Sequence, residues 1–91
     1  MSKDKVALII GAGDYLGSAI ARRFAKEGFH AVGTRRRGDI TSFIKEIKDS
    51  GGDATGIHSD ARKEGQVVEL VERVENEIGP IEVFVFNIGG D

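Results

Sequence analysis

The chain has 91 residues, which suits one small domain, and 40% apolar with 31% charged residues is a globular composition. It has no cysteine, which excludes a disulfide framework and thiolate metal sites, and its charged N-terminus leads into too few apolar residues for a signal-peptide core or a membrane span. The formal charge of −2 divides into +5 over residues 1–37 and −7 over residues 38–91, yet Lys3, Lys5, Arg22, Arg23 and Lys26 are dispersed, so neither nucleic acid nor a membrane is an expected partner. A cytoplasmic location is the expectation.

Residues 6–10 are five apolar residues running into Gly11, the pattern of a strand buried on both faces in a parallel sheet. Leu16, Ala19, Ile20 and Phe24 repeat at helical spacing and predict a helix from Leu16 to Glu27, stopped by Gly28. A second strand is predicted over Phe29–Thr34, ending at Arg35, Arg36 and Arg37. Ile40, Phe43, Ile44 and Ile47 predict a helix over 39–49, with Asp39 or Thr41 as its cap and Gly51 and Gly52 as its end. A third strand follows over Ala54–His58, then a loop over Ser59–Arg62. Val67, Leu70, Val71, Val74 and Ile78 mark a third helix, stopped by Gly79 and Pro80, and Ile81–Phe86 is a fourth strand.

Strict alternation of strands and helices predicts an α/β domain over residues 1–91, a Rossmann-like three-layer parallel sheet with right-handed crossovers and strand order 3-2-1-4. In such sheets ligands lie beyond the C-terminal ends of the strands, where the strand order reverses. Gly11, Gly13 and Gly17 form the first strand-to-helix turn, where glycine admits a phosphate to the backbone and the positive end of the helix dipole faces it. The spacing is one residue longer than G-x-G-x-x-G, since position 16 is leucine. The arginines, Asp60 and Asn87 also lie just past strand ends, so all converge on one rim.

These residues resemble the short-chain dehydrogenase/reductases, whose turn reads T-G-x-x-x-G-[IL]-G. Gly11, Leu16 and Gly17 match it, while Ile10 replaces the threonine and Tyr15 the middle glycine. Residues 17–28 look like that family's first helix. Asp60 matches an aspartate whose carboxylate contacts the adenine amino group, and Phe86 to Gly89 stand where the family has N-N-A-G, keeping Asn87 and Gly89. The resemblance covers all 91 residues but only the N-terminal part of a typical member, truncated after the fourth strand. It implies an oxidoreductase that exchanges a hydride between a nicotinamide and a carbonyl or alcohol. The cofactor-binding candidates are Gly11, Gly13, Asp14, Tyr15, Leu16, Gly17, Arg35, Arg36, Asp60, Ala61, Asn87 and Gly89.

An NAD site places an acid about 20 residues past the glycines. Here that position is Thr34, followed by three arginines, and guanidinium groups pair with a 2′-phosphate, so NADP(H) is favoured over NAD(H). Arg37 is expected to be solvated. Tyr15 is either a lid over the pyrophosphate or a packed ring. His30 and His58 lack partners at ligand spacing and are expected as core or edge residues, with no metal site. The glutamates of the third helix read as a solvated face.

No catalytic residue is expected. The family's Tyr-x-x-x-Lys pair and serine lie beyond the fourth strand, and the one tyrosine, Tyr15, is followed four residues later by Ala19. The segment alone should not turn over. A rival is a non-catalytic dinucleotide-binding or interaction module completed by a partner; a third is a Rossmann-like domain binding a mononucleotide or nothing. The fourth strand, apolar on both faces and lacking an outer neighbour, predicts self-association or a covering partner.

Overall fold

The computed structural model describes residues 5–12 and 15–87. Its elements are β1 (Val6–Ile10), α1 (Tyr15–Lys26), β2 (His30–Arg35), α2 (Thr41–Asp49), β3 (Asp53–His58), α3 (Glu64–Glu77) and β4 (Ile81–Phe86). The strands form one parallel sheet in the order β3-β2-β1-β4, as the alternation predicts. Among the described residues, no helix is long and apolar enough to cross a membrane.

β1 is the axis of the sheet because every one of its residues is buried and apolar. Its side chains alternate between two cores. Ala7 and Ile9 join Ala21 of α1 and Phe43 and Ile47 of α2 on one face. Val6, Leu8 and Ile10 join Leu70 and Val74 of α3 on the other. Two crossovers therefore cover one face and the third covers the opposite one.

The element limits differ from the sequence reading in ways that have physical causes. α1 starts at Tyr15, and Leu16 is exposed. The inward face is Gly17 and Ala21 with Ile20 and Phe24, a stripe offset by one position whose first member carries no side chain to signal it. β2 runs through Arg35, because Arg35 pairs with His58 and its carbonyl accepts the Ser59 N–H at 3.0 Å. α2 begins at Thr41 rather than 39. Asp39 stands just outside it, and its carboxylate accepts the Thr41 N–H at 2.9 Å, the Thr41 hydroxyl at 2.8 Å and the Ser42 hydroxyl.

α2 sits close to the sheet because β2 and β3 present paired glycines, Gly33 opposite Gly56. A Cβ at Gly33 would lie 2.5 Å from Phe43 Cζ and 2.8 Å from Ala12 Cβ. One at Gly56 would lie 3.1 Å from Ile40 Cγ1. The two glycines form a trough that seats Ile40 and Phe43.

β4 carries an irregularity: Val6 pairs with Ile81 but Ala7 pairs with Val83, so Glu82 is an extra residue. The bulge lets Ile81 pack with the α3-side core while Val83 and Val85 pack on the α1 side. It also turns Phe84 and Phe86 to the α3 face, where they are 46% and 56% exposed and stack at 6.4 Å. Exposure on β4 thus falls on the two phenylalanines, and Val83 and Val85 are half-buried.

Two glycine substitutions should move stability in opposite directions. Gly33→Ala overfills the trough and should cost about 1–3 kcal/mol. Gly65→Ala, in α3 with nothing within 4 Å of the new methyl, should gain roughly 0.5–1 kcal/mol. Urea titrations at unchanged m-value measure both; a neutral Gly33→Ala would mean that the trough is slack.

Candidate functional site

Four loops leave the C-terminal edge of the sheet, and the hydrogen bonds there define a rim. After β1 the chain turns at Gly11, whose φ of 83° lies in the left-handed region that favours glycine. The N–H groups of Gly11 and Ala12 both donate to the Thr34 carbonyl at the end of β2, at 2.9 and 2.7 Å. From the other side, the Asn87 amide donates Nδ2–H to the Gly11 carbonyl at 3.0 Å, and the Asn87 N–H donates to Ile10 O at 2.8 Å. The turn is held between β2 and β4, and the N-terminal end of α1 opens on the same rim.

At the end of β2 the two candidate arginines take different environments. Arg35 Nη1–H donates to the Asp39 carbonyl at 2.8 Å, and its guanidinium lies against Gly38, whose φ is 94°. Arg36 acts electrostatically on Asp60, across the β3 end of the rim. Arg37 is exposed. Between Gly11 and the arginines, the Thr34 hydroxyl is buried at 1% exposure with no hydrogen-bond partner among the described residues. A buried hydroxyl without a partner is costly unless something bound supplies one.

After β3, Asp60 and Ala61 follow Ser59. The Asp60 N–H donates to Gln66 Oε1 at 2.8 Å, tying the loop to the first turn of α3. Its carboxylate receives the Arg62 N–H at 3.0 Å and the Arg62 guanidinium through Nε and Nη2, each at 3.1 Å. Those Arg62 bonds, side chain first, hold the Asp60 carboxyl down at about 2, against the opposing effect of burial and with help from the charge of Arg36. Asp39 is likewise lowered to about 2, chiefly by the Ser42 hydroxyl and then by Thr41.

The structure brings Gly11, Arg35, Arg36, Asp60, Ala61 and Asn87 to one rim, with Leu16 and Gly17 in the first turn of α1. Gly13, Asp14, Gly89 and the Tyr15 side chain lie outside the described residues. Sequence reasoning placed Thr34 at the cofactor-selecting position but did not single out the roles of Arg62 and Gln66; the Asp60-x-Arg62 spacing, in which an aspartate bonds the backbone two residues on, was the available signal for Arg62. His58 Nε2–H donates to the Gly38 carbonyl at 2.8 Å, and His30 shares a 2.8 Å hydrogen bond with Thr55 Oγ1, so each histidine ties neighbouring segments together.

The donor set fits a nicotinamide dinucleotide: a glycine turn at a helix N-terminus, a buried hydroxyl with no partner among the described residues beside two guanidiniums, and a carboxylate at the β3 end. A family model described as short chain dehydrogenase matches residues 5–91, and the chain belongs to that family. It is 31% identical over 87 residues to the 2,3-dihydro-2,3-dihydroxybenzoate dehydrogenase of Bacillus subtilis, covering 94% of this chain and 33% of that protein. Among solved structures it is similar to actinorhodin polyketide ketoreductase with NADPH, at TM-score 0.88 and 33% identity, over 99% of this chain and 36% of that one. It is also similar to a metagenomic short-chain oxidoreductase in complex with NADP, at TM-score 0.89 and 28% identity, over 98% of this chain and 41% of that one. The chain therefore spans between 33% and 41% of the length of these proteins.

The two lowered carboxyl groups set an acid dependence. Their folded pKa of about 2 lies below the usual 3.8, so ionisation favours the folded state. That stabilisation is fully present above the ordinary carboxylate range and is lost as pH falls from about 4 toward 2. Asp39→Asn and Asp60→Asn should each flatten the fall of melting temperature over that interval. An unchanged acid slope in both variants would assign the acid sensitivity to other groups.

Proposed function

We propose that this chain is the NADP(H)-binding segment of a short-chain dehydrogenase/reductase-type oxidoreductase. The observation that carries the reading is the β2 end: Thr34, whose buried hydroxyl has no partner among the described residues, stands where an NAD site needs an acid, and Arg35 and Arg36 follow it. When bound, the nicotinamide supplies or accepts a hydride at a carbonyl or alcohol carbon. This chain's own residues do the holding. The Gly11 turn and α1 receive the pyrophosphate, Arg35 and Arg36 pair with the 2′-phosphate, Asp60 accepts from the adenine amine, and Asn87 fixes the turn. The neighbours with NADPH and NADP support the cofactor class. The sequence supplies no Tyr-x-x-x-Lys pair, so residues 1–91 alone bind without turnover.

NADPH should bind more tightly than NADH, and Arg35→Ala with Arg36→Ala should remove about 1.5–3 kcal/mol of NADPH binding per lost phosphate contact while leaving NADH unchanged. Fluorescence titration of both cofactors reads this directly. Equal wild-type affinities would overturn the preference.

A second reading, a binding module completed by association, is favoured by the exposed Phe84 and Phe86 on β4, which among the described residues pairs only with β1. Its outer N–H and C=O groups form a template for another strand, and covering half of a phenylalanine is worth about 1 kcal/mol. Sedimentation of the 91-residue chain should show self-association that rises with concentration and is abolished by Phe84→Lys with Phe86→Lys. A wild-type monomer at every concentration would eliminate this reading.

A further inference from the structure

Asp60 is a highly constrained side chain on the rim. Its backbone N–H is fixed to Gln66, and its side chain is 12% exposed. An ionised carboxylate offers four lone-pair positions, two on each oxygen. Among the described residues, Oδ1 receives two donors, the Arg62 N–H and Nε–H, and Oδ2 receives one, Nη2–H. One position remains, on Oδ2. Arg62 meets the carboxylate through both Nε and Nη2, a fork that fixes the plane of the group as well as balancing its charge.

We infer that Arg62 is the positioning residue of the base-recognition end: by clamping Asp60 it leaves a single oriented acceptor on Oδ2, matched to a purine with an exocyclic amine and mismatched to one with a keto oxygen. The inference rests on the dinucleotide reading above and adds to it a residue that does not itself contact the base. Without the guanidinium the carboxylate keeps only the backbone N–H of residue 62 and is free to rotate about its bond to Cβ. Three lone-pair positions then open in no fixed direction. Lysine at position 62 restores the charge but makes one point contact in place of the fork.

The test titrates the chain with NADPH and with its hypoxanthine analogue, which replaces the adenine amine by a keto oxygen. Wild type should prefer NADPH by about tenfold, the scale of one hydrogen bond to a charged group. Arg62→Ala should weaken NADPH toward the affinity of the analogue and leave the analogue unchanged. Arg62→Lys should recover part of the preference. In the background of Asp60→Asn, which presents an amide able to donate or accept, adding Arg62→Ala should change neither affinity. If Arg62→Ala weakens both ligands equally, its role is structural and the inference fails; if it tightens NADPH, Arg62 competes with the base and the inference fails. Should Arg62→Ala not fold, Arg62→Lys and Arg62→Met decide by the same ratio. Tight but equal wild-type binding of the two ligands overturns this inference while leaving the cofactor reading intact. No wild-type binding of either overturns both.

Discussion

The structure depends on how Gly11 is held. Its left-handed backbone turns the chain out of β1, and both flanking strands grip the turn: Thr34 O accepts from Gly11 and Ala12, while Asn87 donates to Ile10 and Gly11. The bonds to Ile10 and Thr34 continue the parallel ladders one step past the strands. The Asn87 side chain then reaches beyond them to the turn itself. A dinucleotide site needs this, because a phosphate cradle built of backbone N–H groups is only as well defined as the turn that presents them. Here the definition comes from the sheet's own ladder.

The same economy governs the β2 end. Gly33 and Gly56 remove two side chains so that Ile40 and Phe43 can approach the sheet. Residues 36–39 link the end of β2 to the helix seated there. Arg35 and His58 then bond the carbonyls of Asp39 and Gly38, and Asp39 bonds Thr41 and Ser42 at the start of α2. Packing beneath the rim and hydrogen bonding along it are one arrangement.

Much of this was legible in the sequence. The apolar run of β1, the glycine turn and the β/α alternation carried the sheet order, because each rests on a local pattern with one spatial consequence. The inward face of α1 was less legible, since its key position, Gly17, signals packing by having no side chain. The β4 bulge was hidden because Ile81 to Phe86 reads as apolar on both faces in either register. At the site, residue types named the chemistry, but hydrogen bonds made across the fold were out of reach. The element order brings these groups to one rim, but it does not show that the Asn87 amide bonds Gly11 or that the charge of Arg36 acts on Asp60.

The rim is asymmetric along the sheet, and the asymmetry orders any ligand that crosses it. Polar groups concentrate on the β3-β2-β1 side: Asp60 and Arg62, then Arg36 and Arg35, then the Gly11 turn. Past β1 the described chain offers Asn87, whose side-chain amide donates to the turn, and β4, which carries Phe84 and Phe86 on the α3 face of the sheet. Under the proposed reading, the adenosine and its phosphates fall on the charged side and the nicotinamide falls toward β4. Affinity and reactivity are then separated in space. The residues of this chain can fix one half of a dinucleotide through charge and hydrogen bonds. The half that would exchange hydride falls toward the β4 end, where the described chain offers a strand edge. Under the same reading, the residues of this rim bear on which dinucleotide is held, and the proton for the carbonyl oxygen falls to groups other than those described at the β4 end.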